Sequence, residues 1–228
     1  MTPRVVVLAA PSGGGKTTIA NELRRRLPTI FGYSVSATTR KPRTGERDGE
    51  DYYFLTREEF QRRVRAGDFL EWAEYAGELY GTLQAEVARV LAGGKHVVLD
   101  IEVKGAQQVR TVYPRPASVS IFVIPPSPRV LIERLRKRRT ESEQELRERL
   151  AIAVREVETA RADVPVRRVF DHILVNDDLD TAVNRVIEWA DAREAGRPVP
   201  DMAARLADFV RELEQEAGQL RPSARRST

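Results

Sequence analysis

Between a β-branched run and an amphipathic stretch, the chain carries Ala10-Pro11-Ser12-Gly13-Gly14-Gly15-Lys16-Thr17-Thr18. Glycines at this spacing let a backbone wrap an anion with its N–H groups turned inward, and a helix starting at Lys16 adds the positive end of its dipole. Ser12, Gly13, Gly14, Gly15, Lys16, Thr17 and Thr18 therefore read as a cradle for the phosphates of a nucleoside triphosphate. The Lys16 ammonium would reach the β- and γ-phosphates, and the Thr17 hydroxyl would ligate Mg²⁺. The Walker A pattern wants glycine at position 10, where this chain has Ala10. The other reading is a glycine-rich turn without a ligand. Strand, loop, Lys-Thr pair and helix all agree with the cradle.

A loop that donates a phosphoryl group needs an acceptor site facing it. Arg40 and Arg43 flank Lys41-Pro42, around a turn that closes at Gly45. Guanidinium forks match a phosphate better than an ammonium does. The phenols of Tyr52 and Tyr80 could add neutral hydrogen bonds to the same group. The plainer reading makes the tyrosines strand aromatics and the arginines surface charges, and spacing leaves both open. Glu71 lies in Phe69-Leu70-Glu71-Trp72, between large apolar residues. A carboxylate accepts two hydrogen bonds, and guanine offers two adjacent donors, N1–H and the 2-amino group, that adenine lacks. A buried Glu71 left unpaired would discriminate between the two bases by orders of magnitude.

The elements that must position these groups follow from periodicity. Residues 4–9, 96–101, 119–124 and 172–175 are apolar runs that read as buried parallel strands. Residues 16–27 read as a helix with Ile19, Leu23 and Leu27 on one face, and residues 84–91 and 181–194 as further helices. Strands alternating with helices predict an α/β fold of the P-loop NTPase type, a doubly wound parallel sheet flanked by helices. The core is assigned to residues 1–32, 83–126 and 151–194. Residues 33–82 break the alternation with turns, aromatics and a capping box starting at Thr56, and read as an inserted substrate-binding subdomain. Residues 127–150 read as an arginine-rich helical lid, with Pro128 at a first helical position and a second capping box at Thr140. Residues 195–228 form a C-terminal extension. Its helix carries Leu206, Phe209, Val210 and Leu213 on one face, either packing on the core or docking on a partner, and its end is frayed.

Composition bounds the rest. The 228 residues are 41% apolar and 32% charged, which predicts a soluble globular chain with a sizeable core. There is no long uncharged apolar run to span a membrane, and the apolar N-terminus flows into the glycine loop as a strand. The absence of cysteine excludes disulfide and thiol chemistry and suits a reducing cytoplasm. The net charge of +4 is spread out, without a basic stripe interleaved with aromatics, so no nucleic-acid partner is expected. The arginine clusters at 24–26 and 134–139 are solvated helix faces or phosphate contacts, depending on where they stand.

Residues 32–46 (GYSVSATTRKPRTGE) and 51–54 (DYYF) resemble the guanylate kinase signature. So do FLEWA at 69–73, LYGT at 79–82, VLDIEVKGAQQ at 98–108 and VNDDLD at 175–180. The resemblance runs in order from about residue 4 to about residue 190, and Ala10 is common in bacterial-type members. It implies transfer of the γ-phosphoryl of ATP to GMP with Mg²⁺, giving ADP and GDP. Ser36 and Glu71 would read guanine. Arg40, Arg43, Tyr52 and Tyr80 would hold the GMP phosphate, and Thr82 would touch the nucleotide. Asp100 would lie near Mg²⁺ and the nucleotide, and Asn176 would line the ATP base. Arg134, Arg138 and Arg149 match lid arginines that close over the phosphates. The family usually has Gly-Arg-Gly in the lid where this chain has Lys137-Arg138-Arg139, which would stiffen the hinge. It usually has Asp where this chain has Glu102.

The implied nucleophile is an anionic phosphate oxygen of GMP, so positioning and charge neutralisation suffice without a strong base. The rivals are a scaffold module of the same fold, a kinase acting on another acceptor such as a phosphorylated ribose, and a nucleic-acid binder. The intact Lys16, Thr17, Arg40 and Arg43 argue against the first, and Ser36 with Glu71 against the second. The sequence is compatible with a monomer or a homodimer.

Overall fold

The computed structural model describes residues 2–75, 77–136, 143–166, 169–191 and 202–219. At its centre is strand β1 (Val5–Ala9), whose five residues are all fully buried. A strand this apolar needs cover on both faces, as a parallel sheet provides. With β2 (Phe31–Tyr33), β7 (His96–Asp100), β8 (Ser118–Ile124) and β9 (His172–Val175) it forms a five-stranded sheet in the order β2-β7-β1-β8-β9, parallel throughout.

Side chains alternate across this sheet. Val6 and Leu8 face α1 (Lys16–Arg26) and α7 (Leu179–Asp191), packing with Ile19, Leu23, Val183 and Val186. Val5 and Val7 face the opposite layer. That layer contains α3 (Gln84–Ala92), α4 (Val103–Val112), α5 (Pro128–Arg136) and α6 (Glu143–Val166). The sheet is thus wound on both sides.

The inserted segment builds a second sheet from β3 (Ser36–Thr38), β4 (Tyr52–Phe54), β5 (Phe69–Tyr75) and β6 (Glu78–Leu83), in the order β4-β3-β6-β5. One of its faces packs Ala37, Phe69, Leu79 and Leu83 around Phe60 of α2 (Arg57–Ala66). The Phe60 and Phe69 rings stack with centroids 4.3 Å apart. Thr56 caps α2 by accepting the Glu59 N–H at 3.2 Å.

Several elements differ from the sequence reading, which named neither the four strands of the second sheet nor α4. Strand β2 was not predicted; its short run contains Gly32 and pairs only at the sheet edge, with β7. Helix α7 begins at Leu179 rather than 181, because Asp178 Oδ1 accepts the Thr181 N–H at 2.8 Å. Helix α6 is one continuous element of 24 residues and runs without a break past residue 150, where the sequence reading ended the lid. The predicted Thr140 capping box, the Lys137–Arg139 departure and the end of the extension lie outside the described residues.

The C-terminal helix α8 (Met202–Gln219) buries Met202, Leu206, Phe209, Val210 and Leu213 in the same cluster as α5 and α6. Of its two readings, packing on the core describes the structure.

Candidate active site

The parallel strands end along one edge, where α/β sheets place their ligands. Beyond β1 the chain turns through the glycine loop into α1. Gly15 caps the helix at φ +96°, a left-handed conformation that side-chain-bearing residues rarely adopt. Lys16 and Thr17 fill the first turn. At the end of β7, Asp100 meets Lys16, with Oδ1 3.1 Å from Nζ. Burial alone would lower the Lys16 pKa, but Asp100, Glu156 and Glu102 outweigh it and hold the ammonium above its usual value. The lysine stays charged, as a group that is to bind an anion must.

Opposite the loop stands the second sheet. In its registers Tyr52 pairs with Ser36, Ser36 with Thr82, and Thr82 with Glu71. One row thus crosses all four strands. Ser36, Tyr52 and Glu71 of this row, with Tyr80 one pleat away, line the cavity whose other wall is the glycine loop. The cavity encloses about 350 Å³ and is also lined by Ser12, Lys16, Thr17, Asp100, Glu102 and Glu156. Glu71 is only 6% exposed, and Thr82 Oγ1 donates to its Oε1 at 2.6 Å. Burial raises its pKa to about 7, against the opposing pull of the Thr82 hydrogen bonds. Behind it lies Gly105 of α4, where a Cβ would come within 2.5 Å of Glu71 Oε2.

The sequence-predicted residues do not all meet in one place. Ser12, Gly13, Gly15, Lys16, Thr17, Thr18, Ser36, Tyr52, Glu71, Tyr80 and Asp100 line the one cavity, and Thr82 holds Glu71 from the neighbouring strand. Gly14 turns its carbonyl to Asn176, whose Nδ2 donates to it at 3.0 Å. Asn176 and Arg134 lie in a neighbouring depression that shares Gly13, Gly15 and Thr18 with the cavity, and Arg134 Nη2 donates to the Asn176 carbonyl at 3.0 Å. Arg40 and Arg43 are not brought into the cavity lining. The Arg40 guanidinium makes a two-pronged pair with Glu46, at 3.0 and 2.9 Å, beside the Tyr52 ring. The Arg43 backbone N–H donates to Glu46 at 2.7 Å. Arg149 lies on α6, outside both depressions, and Arg138 is outside the described residues.

One charged cavity residue was missed by the sequence reading, beside the small and apolar Ala73, Gly81 and Ile101. Glu156 of α6 accepts the Ser12 backbone N–H at Oε2, 3.1 Å away. Nothing local marks it among the other glutamates of a charged helix; only the tertiary packing selects it.

Comparison with known proteins gives one consistent result. A sequence model of the family described as "Guanylate kinase" matches residues 2–193. The guanylate kinase of Carboxydothermus hydrogenoformans is 46% identical over 180 residues, covering 79% of this chain and 83% of that protein. The guanylate kinase of Homo sapiens is 45% identical over 193 residues, covering 85% and 92%. A crystal structure of guanylate kinase from Anaplasma phagocytophilum superposes with a TM-score of 0.60 at 31% identity, covering 91% of this chain and 94% of that one.

Proposed function

This chain belongs to the guanylate kinase family, and from that premise we propose that it moves the γ-phosphoryl of ATP onto GMP, giving ADP and GDP, between the glycine loop and the Glu71 wall. The observation that carries the reading is a single cavity in which a phosphate-cradling loop faces a buried carboxylate that two adjacent donors of guanine would satisfy. Glu71 and Ser36 read the base, with Thr82 holding Glu71 in place. Tyr52 and Tyr80 meet the GMP phosphate, and Arg40 and Arg43 reach it from the rim. Glu46 then occupies Arg40 until that anion arrives.

The attacking oxygen of GMP is already anionic, so the protein's task is to align it and offset charge. Lys16 neutralises charge on the transferred group, and Arg134, Arg138 and Arg149 are proposed to close over it, excluding water and idle hydrolysis. Asn176 lines the ATP base. For Mg²⁺ the donor set fits: the Thr17 hydroxyl and the Asp100 and Glu102 carboxylates are hard oxygen groups on the cavity wall. Among the described residues no three acidic or imidazole side chains could hold a metal by themselves, which suits an ion bound largely through nucleotide phosphates. When bound, Mg²⁺ supplies further charge neutralisation on the phosphates.

Among the described residues no helix is long and apolar enough to cross a membrane. We place the enzyme in the cytoplasm, where both nucleotides are found, and propose that it works as a monomer or a homodimer.

The test is ADP production from ATP and Mg²⁺ with GMP, AMP, UMP and CMP offered separately. Turnover with GMP and little with the others is expected. Equal turnover with AMP would remove Glu71 from base recognition, and none with any acceptor would overturn the reaction itself.

A further inference from the structure

Helix α6 passes the glycine loop at Glu156, and the reaction above gives that residue no task. As a carboxylate it repels a phosphate oxygen rather than binding it. What it does hold is the Ser12 backbone N–H, 3.1 Å from its Oε2. The link joins two bodies that matter for the transfer. One is the loop that carries Lys16. The other is α6, on which Arg149 stands seven residues before Glu156, two turns along the same face and about 10 Å away on the axis. The buried side of α6, formed by Leu146, Leu150, Ala153 and Val157, is locked into the core, so the helix cannot turn about its axis without losing that packing.

We infer that Glu156 is a positioning residue for the kinase reaction: by holding the Ser12 N–H it fixes α6 to the phosphate loop and so sets where Arg149 stands relative to the transferred phosphoryl. The inference rests on the phosphoryl-transfer reading of the cavity. The property required is an acceptor at the right reach, not a negative charge. Burial raises the carboxyl to about 7, with the Ser12 N–H opposing, and either form of the group presents an oxygen to that donor.

Three variants separate reach from charge. Glu156→Gln keeps the acceptor and drops the charge; Glu156→Asp keeps the charge and withdraws the acceptor by one methylene; Glu156→Ala removes both. The expected result is that the Asp and Ala variants lose kcat by roughly ten- to a hundredfold, the effect of misplacing a reacting group by about an ångström. Their KM for GMP should stay within about twofold of wild type, because the GMP wall belongs to the other sheet. The Gln variant should recover most of the wild-type kcat. The reverse order, with Asp active and Gln slow, would assign the residue a charge role and overturn the inference. Unchanged kcat in all three would also overturn it. Thermal melting of each variant guards against misfolding, and the Asp variant keeps the test standing if Ala fails to fold. An inactive wild-type protein would instead be a failure of the phosphoryl-transfer reading.

Discussion

At Glu71, burial favours the neutral acid and hydrogen bonding favours the ion, and burial wins in the empty cavity, with a pKa near 7 against an ordinary 4.5. The native form therefore holds an extra proton between those values. Its contribution to stability is complete below the lower value and is lost as pH rises through the upper one. The proposed recognition of guanine by Glu71 would run the other way, because N1–H and the 2-amino group need the ionised carboxylate. GMP affinity should therefore rise with pH toward about 7 and level off above it. Calorimetric titration with GMP across this range checks this; a flat profile would remove Glu71 from the base site. Thr82 also changes the discrimination argument: with that partner in place, adenine leaves no wholly unpaired carboxylate, and the neutral acid can donate to adenine N1. The preference for GMP over AMP should therefore narrow in acid. Glu71→Gln should raise the KM for GMP by roughly a hundredfold or more, by presenting a donor to a donor, and leave the KM for ATP nearly unchanged. Equal losses for both nucleotides would refute the assignment. Lys16 is the cation that Asp100, Glu102 and Glu156 surround. Lys16→Ala should cut kcat by roughly a thousandfold with the fold intact by circular dichroism. A near-normal rate would remove the glycine loop from the chemistry.

Strands and helices carry these side chains, and the fold was legible wherever one strong period decided an element. Strands β1, β7, β8 and β9 were visible as apolar runs because a sheet covered on both faces has no polar side to interrupt them. Strand β2 was not, since a three-residue edge strand containing Gly32 has too short a pattern to be read. The Tyr52-Ser36-Thr82-Glu71 row was invisible for a different reason. Its members come from four strands, and their alignment depends on register, a property of the pairing rather than of any one segment. Glu156 was invisible for the same reason on a helix. The glycine loop was the most legible part, because its demand is local: Gly15 lies at φ +96°, and a Cβ there would run into Asn176 Nδ2. Gly15→Ala should strain that turn by about 1–3 kcal/mol and push Asn176 away from Gly14. The expected outcome is a rise in the KM for ATP well beyond any change in the KM for GMP. A rise confined to GMP would place the loop on the wrong substrate.

Across the whole molecule, the family match ends at residue 193 while the hydrophobic core does not. Helix α8 lies beyond that match, yet Leu206 and Leu213 are as fully buried as the central strand. It packs against α5 and α6, the helices that carry Arg134, Arg149 and Glu156. The extension is therefore expected to brace the helices beside the glycine loop more than the sheet that carries Glu71. Leu206→Ala and Leu213→Ala should each lower stability by roughly 2–5 kcal/mol, the range for a leucine removed from a packed core. Each should be visible as a drop of several degrees in Tm, since about 2–4 °C accompanies each kcal/mol in a domain of this size. Below the transition the KM for GMP should stay at its wild-type value, while kcat falls if loosened α6 packing lets Arg149 drift from the loop. A double variant that melts at the wild-type temperature would show that α8 does not pack on α6 in solution, and would return its apolar face to the partner-docking reading. Lower Tm with a raised KM for GMP would instead mean that the brace reaches the whole site, and that the two walls of the cavity are not mechanically separate.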